Sequence, residues 1–113
     1  MTNAADCIAR RLYQAGCRHA FGIPGGEVLA VIDGLARAGI EFVVCRHENA
    51  GGFMAEGSHH ASGAPGVLVA TVGPGAANLV NVVANAYQDR VPLIVITGCL
   101  DAADTATYTH QIF

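Results

Sequence analysis

The sequence predicts an α/β domain, a doubly wound parallel sheet with helices on both faces, and three observations carry that expectation. Helix-like and strand-like patterns alternate along nearly the whole chain. The apolar runs at 66–71 (GVLVAT) and 92–97 (PLIVIT) are continuous instead of alternating, as in strands covered on both faces of a parallel sheet. The glycine-rich and polar segments fall just after the strands, where an open parallel sheet forms its ligand crevice.

Taken in order, residues 3–15 have the spacing of an amphipathic helix and lack the layout of a signal peptide. A short strand is expected at 18–22 (RHAFG). A helix follows over 26–38, with Val28, Leu29, Ile32 and Leu35 on one face, and then a strand at 41–45 (EFVVC). The pattern continues with a helix over 48–62, the strand at 66–71, a helix over 75–88 and the strand at 92–97. Strand, helix, strand in regular succession implies right-handed crossovers. The last segment, 97–113, is a polar loop that reaches no further element, so residues 1–113 read as one partial domain of a longer protein.

Composition narrows the classes of function. Only 13% of residues are charged, against roughly 25% in an average soluble domain, which implies a surface largely covered by neighbouring domains or subunits. The six basic residues are all arginine, the net charge is -3, and no basic cluster exceeds Arg10-Arg11, so no nucleic acid partner is expected. No apolar run reaches the length that crosses a bilayer, so no membrane partner is expected and a cytoplasmic location is. Cys7, Cys17, Cys45 and Cys99 have no metal-type spacing and read as reduced, mostly buried residues.

Three segments could carry chemistry. In GIPGGE (22–27), Gly25-Gly26 at a helix start either makes a tight turn or offers bare N–H groups to an anion. In TVGPGAAN (71–78), proline near the first helical position suits helix entry. Asn78, Asn81 and Asn85 then form a stripe, either wetted or with Asn78 facing the crevice while the rest packs on another subunit. In RHENAGG (46–52), Glu48 at a strand end either complements a helix dipole or works on a ligand. Gly51 and Gly52 each weaken a helix by about 1 kcal/mol relative to alanine, so they imply a close approach by a ring or a partner helix. His47-Glu48 lacks the second histidine of a zinc helix, and Glu56, His59 and His60 read as ordinary polar groups on an exposed face, so no metal site is expected.

GIPGGE, CRHENAGGFMAEG, ATVGPGAANLVNVVANAYQDRVPLIVITG and the trailing HQIF resemble, in order and spacing, the N-terminal pyrimidine-binding domain of thiamine diphosphate-dependent enzymes, the acetolactate synthase group above all. The resemblance covers nearly the whole chain. It implies a transferase or lyase acting on pyruvate-like 2-oxo acids, in branched-chain amino acid biosynthesis for the acetolactate synthases. In that family a glutamate at the position of Glu48 hydrogen-bonds N1′ of the cofactor's aminopyrimidine ring and shares a proton with it. The resemblance further implies Pro24 and Gly25 near the thiazolium, Thr71, Pro74 and Asn78 against the pyrimidine, and Gln111 reaching toward the reacting centre. Glu48 and Gln111 are thus the implied catalytic residues.

The family holds the cofactor's diphosphate through Mg2+ in a separate domain absent from this chain, and some members carry FAD. Active sites lie between subunits, so the resemblance implies a homodimer or tetramer, and little activity or cofactor binding from these residues alone. The sequence departs from the family pattern at Ile23, Asn49, Ala50 and in AEGSHH (55–60), which leaves the choice of 2-oxo acid open. Two other readings stand beside this one: a small flavodoxin-like module that binds a nucleotide or flavin without catalysis, and a degenerate copy whose apolar helix only mediates association.

Overall fold

A computed structural model of the chain describes residues 2–99. Helix α1 (Ala4–Gln14) leads into β1 (His19–Gly22), and a 3-10 turn (Gly26–Val28) opens α2 (Leu29–Ala38). Strand β2 (Glu41–Val44), α3 (Glu48–Ser62) and β3 (Gly66–Ala70) follow. The described part ends with α4 (Pro74–Ala77), α5 (Val80–Asp89) and β4 (Leu93–Thr97). The four strands form one parallel sheet in the order β2-β1-β3-β4. The chain therefore steps from β1 to β2 in one direction, then crosses back over β1 to β3. A right-handed crossover in each direction puts α2 and α3 on opposite faces, which makes the sheet doubly wound.

Local chemistry sets most element ends. Asn3 and Asp6 form a reciprocal capping box on α1. Gly39, at φ 87°, closes α2, and Gly63, at φ 77°, closes α3. Burial follows the strand period of two along β3. Val67 and Val69 face α1 and α2, in a core with Leu12, Leu35 and Ile40, while Leu68 and Ala70 face α5 through Leu79 and Val82. Full burial of a side chain such as Leu35 or Leu68 stabilises by about 1.5–3 kcal/mol.

Three details depart from the expectations. The helix expected over 75–88 is two helices, α4 and α5, meeting at Asn78 and Leu79. Strand β3 is buried throughout, as its apolar run implied, but β4 is an edge strand of mixed exposure, with Val95 37% exposed, because it has one hydrogen-bonded neighbour among the described residues. Of the four free cysteines only Cys17 and Cys45 are buried. Burial pushes the Cys17 thiol up, and its Sγ bonds the Pro65 carbonyl (3.4 Å). No described helix is long and apolar enough to cross a membrane.

Candidate functional site

The reversal of strand order puts the carboxyl ends of β1 and β3 side by side, and the loops that leave them meet directly. A Cβ added to Gly25, three residues after β1 ends, would overlap the methyl group of Thr71, the first residue after β3. The half-buried Gly25 and Thr71 thus form one wall of the crevice, with Pro24 exposed beside them.

Helix α3 enters the same crevice from β2. His47 caps it, its Nδ1 accepting the Asn49 amide at 3.1 Å, which fixes the tautomer with the hydrogen on Nε2. Gly51 and Gly52 let α3 sink onto the rest of the fold. A Cβ at Gly51 would lie 3.0 Å from Cys45 Sγ and 3.3 Å from Leu68 Cδ1, and one at Gly52 would overlap Val82 of α5. The glycines therefore serve helix-to-sheet and helix-to-helix contact. Both are buried within the domain, so the expected approach of a ring to them is replaced by the protein's own packing.

Glu48, the first residue of α3, is buried at 7% exposure. Its Oε2 accepts a hydrogen bond from Asn78 Nδ2 at 2.9 Å. Its Oε1 takes none from any described residue and lies 3.4 Å from the point a Cβ on Gly75 would occupy, a point only 2.5 Å from Thr71 Oγ1. The carboxylate thus sits in a notch made by the TVGPG turn, one oxygen held and the other available. Pro74 is exposed at the first position of α4, and Asn78 ends that helix. The structure so brings Gly25, Glu48, Thr71 and Asn78 together at one edge of the sheet, with Pro24 and Pro74 on its rim. Gln111 lies outside the described residues.

The asparagine stripe runs along the seam with α3, with Asn78 and Asn81 still exposed and Asn85 half-buried. Each member meets α3: Asn78 bonds Glu48, Asn81 approaches Asn49 (3.5 Å), and Asn85 Nδ2 bonds both oxygens of Glu56 at 3.1 Å. Asn49 Oδ1 also accepts the Val82 amide at 3.0 Å. Val82 is wholly buried, and an unpaired buried amide costs about 1–3 kcal/mol. Sequence reasoning missed Asn49, Gly75 and the Glu56–Asn85 pair. Glu56 is buried, not on an exposed face, and His59 Nδ1 bonds the Ala64 carbonyl at 2.9 Å. The available signal was polar residues at matching spacing in 48–62 and 78–85.

Beyond the notch, the outer faces of α3 and α5 form an open groove of about 890 Å3, lined by Ala50, Phe53, Ala77, Val80 and Ala84 among others. Glu48 does not line it, although its neighbours His47 and Asn49 do. At the notch Glu48 presents one acceptor oxygen whose partner oxygen is fixed by Asn78, with Gly75 and Thr71 beside it.

Known proteins resemble this chain over most of its length. The pattern of the family described as thiamine pyrophosphate enzyme, N-terminal TPP binding domain, matches residues 2–113. The chain is 42% identical over 97 residues to an acetolactate synthase large subunit of Buchnera aphidicola, a stretch that is 85% of this chain and 17% of that protein. It is 42% identical over 99 residues to the acetolactate synthase isozyme 3 large subunit of Escherichia coli, covering 87% of this chain and 17% of that one. A probable 2-ketoarginine decarboxylase of Pseudomonas aeruginosa is 43% identical over 95 residues, 84% of this chain and 17% of that one. The chain thus spans about a sixth of these relatives.

Proposed function

The chain belongs to the thiamine pyrophosphate enzyme family, as its N-terminal TPP binding domain, and from that premise we propose that it supplies the proton-exchanging carboxylate of a carboligase or decarboxylase acting on 2-oxo acids. The observation that carries this reading is the state of Glu48: buried at the sheet's switch point, Oε2 fixed by Asn78, Oε1 without a bond from any described residue.

Bound thiamine diphosphate supplies the nucleophilic carbon that adds to a 2-oxo acid and accepts the electrons released on decarboxylation. In this proposal Glu48 Oε1 holds or gives up the proton at the aminopyrimidine N1′, an exchange favoured by a site closed to water. Asn78 keeps the other oxygen fixed, so that the exchange needs little reorganisation. Thr71 and Pro74 bound the ring plane, Pro24 and Gly25 line the side toward the substrate, and Gln111 reaches the reacting centre from its own segment. Magnesium, any FAD and the diphosphate site belong to further domains of the complete protein.

The same reading assigns the α3–α5 groove and its exposed Phe53 and Val80 to a neighbouring diphosphate-binding domain, in a dimer or tetramer located in the cytoplasm. Pyruvate is the proposed donor, since the acetolactate synthases above share 42% of the aligned residues. A flavodoxin-like binding module would have the same strand order; the family match disfavours it. Calorimetric titration of the chain with FMN, ATP and thiamine diphosphate separates the two, because the proposal expects tight binding of none. The decisive experiment is Glu48→Gln in the complete protein. Turnover is expected to fall by about 100-fold or more with the circular dichroism unchanged, and near-full turnover refutes the role.

A further inference from the structure

We propose that Asn49 is a positioning residue for Glu48: its side-chain carbonyl caps α5 from the neighbouring helix and thereby holds the segment from which Asn78 grips the carboxylate. This rests on the reading of Glu48 given above.

Helix α5 lacks a cap from its own segment. It begins after Leu79, whose side chain cannot accept the free amides of the first turn. The Val82 amide, third in the helix, is the group that a capping side chain ordinarily satisfies. Here Asn49 Oδ1 does so at 3.0 Å, across 33 residues of sequence, with Asn81 Nδ2 approaching the same oxygen at 3.5 Å.

The consequence for the site follows from connectivity. Asn78 and Leu79 form the junction between α4 and α5, so their placement is not fixed by a continuous helix. Two adjacent residues of α3 pin that junction from either side: Glu48 receives the Asn78 amide group, and Asn49 receives the Val82 N–H. Asn49 is itself held by its backbone, which bonds His47 Nδ1. With both pins in place the Asn78–Glu48 bond has one geometry and Oε1 one heading. With the Asn49 pin removed, the start of α5 keeps its backbone bonds to α4 and the packing of Leu79 and Val82, but the Val82 amide loses its partner and the Asn78–Glu48 bond loosens with it.

The test uses the complete protein that carries this chain, with Asn49→Ala, Asn49→Asp, Asn85→Ala and Glu48→Gln. Hydrogen exchange over residues 79–86 and thiamine diphosphate affinity, measured by calorimetry with Mg2+ present, are the readouts. Asn49→Ala is expected to speed exchange at Val82 and to weaken cofactor affinity about tenfold. Asn49→Asp, which keeps the acceptor oxygen, restores the protection and most of the affinity. Asn85→Ala, which cuts the same helix seam at Glu56, leaves the affinity within a factor of two. Unchanged affinity in Asn49→Ala, or an equal loss in Asn85→Ala, overturns the positioning role even where Glu48→Gln abolishes turnover. Near-full turnover in Glu48→Gln overturns the reading of Glu48 and this inference with it.

Discussion

Glu48 and Glu56 lie on one helix, are buried to the same 7%, and are each held by an asparagine from the segment that packs against it, yet their surroundings differ in one respect. Asn85 Nδ2 sits 3.1 Å from both oxygens of Glu56, in the middle of the α3–α5 seam. Asn78 reaches only Oε2 of Glu48, beyond the carboxyl ends of the strands, and Oε1 takes no bond from any described residue. Burial is therefore a poor guide to function here. A buried carboxylate whose oxygens share one internal donor stitches two helices together, whereas one with an oxygen to spare can receive a ligand.

The comparison breaks most visibly in turnover. If it holds, Glu56→Gln in the complete protein keeps turnover within about threefold of the parent, well short of the roughly 100-fold loss expected for Glu48→Gln. Equal losses, measured as steady-state kcat, would erase the distinction between the two acids.

Packing of the seam comes next. Gly52→Ala gains about 1 kcal/mol of helix propensity but places its methyl group on Val82. Overpacking of this kind costs typically 1–3 kcal/mol, so urea unfolding of the chain should show a net destabilisation. Gly51→Ala meets a sulfur and a methyl group near 3.0–3.3 Å and should be milder. The reverse order would mean that α3 is held chiefly by the sheet and not by α5.

Asn85→Ala sharpens the contrast at smaller scale. It leaves Glu56 without its amide donor, and stability should drop by about 1–3 kcal/mol with no change in kcat.

The smallest effect lies on the other face of the sheet. The Arg37 guanidinium beside Asp6, helped by the Asn3 backbone amide, holds that carboxyl below its usual range. A depressed folded-state pKa means stability that is present above the ordinary value of 3.8 and is lost as pH falls through the folded value. Asp6→Asn should flatten this part of the acid unfolding curve slightly, since the pair is exposed. A flattening as large as the effect of Asn85→Ala would contradict the weight placed on the α3–α5 face.

Much of this was legible in the residues themselves. The run 48–62 reads as a helix and is one, because its apolar spacing, the acid in its first turn and the glycine after it are all local signals. The helix expected over 75–88 breaks because Asn78 and Leu79 answer to Glu48 and to the sheet, and a periodicity of 3.6 does not register partners that far away. β4 reads as doubly buried because composition reports what a strand tolerates, whereas exposure depends on which neighbours cover it.

What the sequence by itself determined was the alternation of elements, the parallel sheet and the placing of Glu48 between a strand and a helix. Each of these is read from residue patterns that repeat within a few positions. Tertiary structure alone decided which of two equally buried acids keeps an oxygen free, what the glycines of α3 pack against, and that Asn49 caps a helix other than its own. Those outcomes depend on hydrogen bonds spanning 29 to 33 residues and on close contacts such as Gly52 against Val82, and such partners are chosen by the path of the chain across the sheet.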